Sequence, residues 1–164
     1  NGNYNVALGY NALYFATGSN NIAVGSQADV PNAAGNNQVK IGNGSILYAG
    51  VQIAWSVSSD SRLKSNIKSS GLGLKFINSL NPVSYTRNND EKQKTEFGFI
   101  AQELEAALNT FGAENNGMIT KDDNGMYSVR YNDLLPVMVK AIQDQQKIIE
   151  ALQNNIEELK KNSK

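Results

Sequence analysis

Histidine and cysteine are both absent from this sequence. Without them Ser-His-Asp, Cys-His and thiolate mechanisms are excluded, and serine with a lysine base is the main route left to nucleophilic chemistry. A disulfide framework is excluded as well, and a structural zinc site loses its usual ligands. No apolar run approaches about twenty residues, so no membrane span is expected. Basic and acidic side chains balance at 15 each, with no Lys/Arg cluster able to track phosphates, so nothing points to nucleic acid.

Charge is scarce in one part of the chain. Up to Ser58 the charged side chains are Asp29 and Lys40, and every other charge follows. A globular domain of that length normally carries many more. A segment this polar, uncharged and dense in Asn and Gly is either of low complexity or a repeat whose turns need those residues. Periodicity decides for the repeat. Asn5-Val6-Ala7-Leu8-Gly9, Asn21-Ile22-Ala23-Val24-Gly25 and Gln38-Val39-Lys40-Ile41-Gly42 recur at spacings of 16 and then 17 residues. Asn and Gly tolerate the left-handed backbone of tight turns, which accounts for their fixed offsets. One such strand-turn unit cannot bury its apolar face alone and must stack on its neighbours or on other chains. A Gly/Asn linker would not repeat an apolar core. The apolar stretch from Ile46 to Val57 is expected to be β-rich and to leave no flexible linker behind it. The chain opens in mid-pattern at Asn1-Gly2-Asn3, which suggests the C-terminal piece of a longer protein.

Where the uncharged segment meets the charged one stands Ser59-Asp60-Ser61-Arg62-Leu63-Lys64, with a hydroxyl nucleophile and a lysine five residues apart. That spacing suits neither one helical face nor one side of a strand. A turn must bring the two side chains together, or Lys64 must come from a neighbouring subunit.

The rest reads as a small α+β domain. Gly73 to Leu80 suggests a short helix stopped before Pro82, and Val83 to Arg87 alternates like a strand. Phe97 to Ile100 leads into an amphipathic helix over Ala101 to Leu108. Asn124-Gly125 between Met118-Ile119-Thr120 and Met126 to Val129 signals a hairpin. Asp122-Asp123-Asn124-Gly125 is only half of a calcium loop, lacking the remaining ligands and the closing Glu, so neither metal nor cofactor is expected. From Asn132 one long helix follows, capped by Asn132 or Asp133, with Pro136 in its first turn. Leu135, Ile142, Ile149 and Ile156 recur every seven residues, each followed three later by Met138, Gln145, Leu152 and Leu159. This is a coiled-coil seam, with Gln145 holding register at some cost in stability. A helix packed along its own domain is the alternative. Ile at a with Leu at d leans towards two strands, so a trimer rests on the repeats.

The repeats resemble those of trimeric phage tail fibres and trimeric adhesin heads, which form a β-roll or interwoven β-prism. Ser59 to Ile67, Leu80-Asn81-Pro82-Val83-Ser84-Tyr85, Phe97 to Leu104, Tyr131, Leu134 to Val137 and Lys140-Ala141-Ile142 resemble a second family, over Ser59 to about Leu159. That family is the self-cleaving intramolecular chaperone domain at the C-terminus of phage endosialidases, tail spikes, tail fibres and neck appendage proteins. A related domain occurs in a eukaryotic membrane-bound transcription factor, but the repeats upstream point to a phage.

The resemblance implies a homotrimer that templates the fibre before it and is then released by autoproteolysis at the Ser58–Ser59 bond. It makes Ser59 the nucleophile and Lys64 the general base. Lys64 must be neutral to take the Ser59 proton, a state that burial or nearby cations favour. Arg62 could supply such a field, polarise the Ser58 carbonyl, or pair with Asp60. The expected architecture is mixed: the end of a β-repeat fibre domain over 1–58, an α+β chaperone domain over 59–131 and a coiled-coil helix over 132–164. Its partners would be two further copies and the upstream part of its own chain. Any host glycan or receptor would be bound by the parent protein. The N-terminal part would then belong to the virion, with the chaperone part released in the host cytoplasm. An uncleaved adhesive fibre tip is the competing reading. A glycan-cleaving enzyme has no support, since no inward carboxylate pair can be placed.

Overall fold

In the computed structural model, which describes residues 2–163, each N-terminal repeat forms one short strand: β1 Val6–Leu8, β2 Ile22–Val24 and β3 Val39–Ile41. They pair in parallel in the order β1-β2-β3, with Val6 opposite Ile22 and Ile22 opposite Val39, so each strand stacks one repeat from the last. The turns repeat too. Tyr4, Asn20 and Asn37 share a left-handed backbone, with φ of 62°, 56° and 61°, and Gly9 and Gly25 share φ of 131° and 124°. At Gly9 a side chain would also collide with the carbonyl of Gly25, so both conformation and close approach require glycine there.

Asn serves a second purpose that turn propensity does not reveal. The Asn5 amide donates to the Gly18 carbonyl (2.9 Å) while its Oδ1 accepts from Asn21 N–H (2.8 Å). Asn21 repeats this one repeat later, donating to Gly35 O and accepting from Gln38 N–H, both at 2.9 Å. Asn21 is fully buried, and these bonds satisfy both ends of its amide. Packing within the repeats is inverted in size. The small Ala23 is fully buried with Ala28, whereas Val6, Leu8, Val39 and Ile41 remain more than half exposed.

This first unit comprises the chain up to Val57 together with Thr86–Glu96 and Lys121–Tyr127. Residues 46–57 contain no strand, contrary to expectation, and Ile53 and Trp55 are 82% and 74% exposed. Strand propensity reflects fit to a pleated, half-buried surface, and no neighbouring strand offers one here.

The second unit comprises Ser58–Tyr85, Phe97–Thr120 and the chain from Ser128 onward. Its helices are α1 (Leu74–Ser79), α2 (Ala101–Thr110) and α3 (Leu134–Asn162). β4 (Val83–Thr86) pairs with β5 (Thr95–Gly98), and β6 (Ile119–Lys121) with β7 (Tyr127–Val129). The core is Phe76 of α1, Leu104 and Leu108 of α2, Met118, and Leu134 and Val137 of α3, with Phe111 edge-on to Phe76. Gly73 precedes α1 without a capping side chain, and the Asp144 carboxylate of α3 accepts from Leu74 N–H instead (3.3 Å). Lys140 also donates to Asp144, and chiefly for that reason the Asp144 carboxyl lies below its usual range. Tyr131 stacks on Phe99, and its hydroxyl accepts from Phe99 N–H (3.0 Å). A side chain at Gly98 would strike that hydroxyl.

Candidate functional site

Asp60 shapes the local chain around the Ser59 motif. Its backbone is extended, and its Oδ1 accepts from Arg62 N–H (2.8 Å), capping a single 3-10 turn over Ser61–Leu63. The turn closes with Leu63 N–H to Asp60 O and Lys64 N–H to Ser61 O, both 3.1 Å, and Lys64 leaves it extended again. A tight turn between two extended residues folds the chain back on itself. Lys64 Nζ therefore meets Ser59 Oγ and donates to it at 2.7 Å. Of the two routes left open by the spacing, a turn or a lysine from another subunit, the structure shows the turn.

The Arg62 guanidinium turns to Asp60, with Nε to Oδ1 at 3.0 Å and Nη2 to Oδ2 at 2.6 Å. Of the three roles open to Arg62, this is the one observed. The guanidinium, aided by Arg62 N–H, holds the Asp60 carboxyl below the usual range, and Asp60 in turn raises Arg62. The sequence offered Asp60 as a partner for Arg62 in support of the dyad, but its capping role was missed. The signal was an Asp whose side chain can bond the N–H two residues on, as turn-forming aspartates do. Ser58 and the whole stretch from 44 to 71 are exposed in the single chain, including Leu63 and Ile67.

The site begins at the first residue of a family match. Residues 59–113 match the family described as chaperone of endosialidase. The matched segment starts at Ser59, takes in the turn, α1, β4, β5 and α2, and ends at Ala113. It is a peptidase family by name. Tyr131 and the Leu134 to Ile142 segment, also included in the expected resemblance, lie beyond the match. A comparison with curated proteins gives no match.

The other candidate residues lie on α3. Leu134, Val137 and Ala141 face the core, while Leu135, Met138, Ile142, Ile149, Leu152, Ile156 and Leu159 form a separate, exposed stripe. The first two turns of this helix pack on their own unit, as the alternative reading has it, and from Gln145 to Ser163 every residue is exposed. Asp133 occupies the N-cap position as expected, but its carboxylate pairs with Arg130 (2.7 Å) and caps nothing. Asp122 Oδ1 accepts from Asn124 N–H (2.9 Å) and Met126 N–H (2.8 Å), so it serves the hairpin turn. No helix among the described residues is long and apolar enough to cross a membrane.

Proposed function

We propose that the chain from Ser59 onward is an intramolecular chaperone that gathers three copies, templates the β-repeat segment before it, and then severs the Ser58–Ser59 bond. The observation that carries this reading is the 2.7 Å contact between Lys64 Nζ and Ser59 Oγ at the first residue of the family match. With Lys64 neutral, the hydroxyl donates across the same contact and passes its proton to Nζ. Oγ attacks the Ser58 carbonyl carbon, and the C–N bond breaks as the proton moves from Lys64 to the departing Ser59 amine. Ser58 is then joined to Oγ as an ester. Water hydrolyses the ester, leaving a Ser58 carboxylate and a free Ser59 hydroxyl.

Assembly of three copies is supported by what the single chain leaves uncovered. The apolar residues of the α3 a/d stripe stay exposed, as do Val6, Leu8, Val39 and Ile41 of the strands, and residues 44–71 expose Trp55, Ile53 and Leu63. From Gln145 to Asn162 the helix stays exposed on every residue, whereas most helical stability in proteins comes from packing an amphipathic face. Burial by neighbouring copies would also give the dyad the low-dielectric surroundings that favour a neutral amine. The repeats would form a trimeric β-roll or β-prism of a phage fibre, spike or appendage. Parallel interchain pairing is slow and non-local, so a coiled coil that sets register first is an advantage. Receptor binding would belong to the parent protein.

Intact mass of purified protein tests the reading. Wild type should give two fragments dividing at Ser58–Ser59, whereas Ser59→Ala, Lys64→Ala and Lys64→Arg should stay full length as assembled protein, since a guanidinium cannot act as base near neutral pH. Normal cutting of a lysine variant removes Lys64 from the mechanism, and uncut wild type leaves the adhesive fibre tip.

A further inference from the structure

The first compact unit takes residues from both sides of the Ser58–Ser59 bond: the repeats before it, and Thr86–Glu96 and Lys121–Tyr127 after it. The tip of the β6–β7 hairpin makes a reciprocal pair of bonds with the turn after β2. Asp123 N–H donates to Pro31 O (2.8 Å), and Asp123 Oδ2 accepts from Ala33 N–H (2.6 Å). The β4–β5 connection adds a second point, where Asn89 Nδ2 donates to Gly44 O (2.6 Å).

All three bonds reach backbone groups of the repeat segment. The backbone they reach is shaped by stacking of the repeats. Ala33 O accepts from Thr17 N–H (2.7 Å) and Gly18 N–H (3.0 Å) of the preceding repeat. Asn32, between the two gripped residues, is held by Gln38, which accepts from Asn32 N–H (3.1 Å) and donates to Asn32 O (2.7 Å). In an unstacked chain neither Pro31 O nor Ala33 N–H would have a defined direction. On the hairpin side, Asp122 ties the turn through Asn124 and Met126 N–H, and Gly125 takes φ of 80°. Asp123 is thereby left free to present one donor and one acceptor together.

We infer that the hairpin tip, with Asp123 as its reading residue and Asn89 as a second point, is a clasp that recognises the backbone of stacked repeats and retains them non-covalently after the chain is cut. Cutting and release are then separate events. The occupant of the clasp is the repeat-bearing fragment of this same protein, recognised by conformation and not by side-chain identity. Its relevance rests on the proposed cut, but the clasp can be tested without it.

The test uses the full chain carrying Ser59→Ala and a recognition sequence for a site-specific protease inserted between Val57 and Ser58. Added protease makes the cut, so a failure of self-cleavage cannot be mistaken for a failure of the clasp. After cutting, both fragments should co-elute on size exclusion in native buffer. Adding Asp123→Ala and Asn89→Ala should speed their separation at least about ten-fold, as expected for losing a charge-assisted bond together with its companions. Asp123→Asn keeps an acceptor oxygen and should lie between the two. Before cutting, each variant should match the parent in circular dichroism and melting temperature, which separates loss of grip from loss of fold. Immediate separation of the parent fragments overturns the inference, as does unchanged retention in the double variant.

Discussion

Replacing Ile149 and Ile156 by Asp tests the assembly mechanism at its exposed helix. In the single chain these side chains are 41% and 50% exposed and touch no core, so the changes should cost an isolated subunit little beyond a few tenths of a kcal/mol of helix propensity each. In a coiled coil the balance differs. The seven apolar seam residues retain between 41% and 66% exposure, so burying the remainder is worth about 1 kcal/mol apiece, or about 7 kcal/mol per chain. The double change removes about 2 kcal/mol of that. It also places two carboxylates in the seam, each costing several kcal/mol unless the helices part. Association should therefore fail outright. Asn154→Asp, two positions from the nearest seam residues Leu152 and Ile156 and on the opposite face, adds one such charge outside the seam and should leave assembly intact. Sedimentation velocity on freshly expressed protein reads the outcome: monomer and aggregate for the double variant, wild-type size for the control. A double variant that assembles normally would refute the idea that α3 sets register.

Three further outcomes follow from the site and its support. Because the turn brings Ser59 and Lys64 together within one chain, mixing Ser59→Ala chains with Lys64→Ala chains should yield no cut product, and cutting of the Lys64→Ala chains would show a dyad formed between subunits. Asp60→Ala removes the cap of the turn and should slow cutting by roughly ten- to a hundred-fold through misplacement of Lys64, without changing the melting temperature, as time courses on gels would show. The Asp144 carboxyl is held below its ordinary 3.8, chiefly by Lys140, so its contribution is present above that value and is lost as pH falls through the lower folded value. Thermal melts should accordingly drop in acid, and Asp144→Asn should remove part of that slope.

Local rules made much of this molecule legible in its sequence. Gly and Asn at fixed offsets predicted the repeats, Asn124-Gly125 the β6–β7 hairpin, and the apolar spacings α1, α2 and α3, because each depends on backbone preferences or on periodicity over a few turns. The absence of His and Cys excluded the histidine- and thiolate-based systems, but it was the family resemblance, not elimination, that singled out Ser59 and Lys64. Long-range geometry was not legible. Five residues of spacing could not say whether Lys64 would reach Ser59; the Asp60-capped turn settled that by reversing the chain over three residues. The apolar stretch from Ile46 to Val57 carried strand-like composition, yet a strand exists only where another chain segment offers a ladder. Likewise the heptad marked one apolar stripe of α3, but only packing with Phe76 and Leu104 showed that its own unit covers a different one, through Leu134 and Val137, and leaves the heptad stripe open. The grip of Asp123 on Pro31 and Ala33 lay beyond the sequence too, because bonds to backbone groups leave no trace in the identity of the residues they hold.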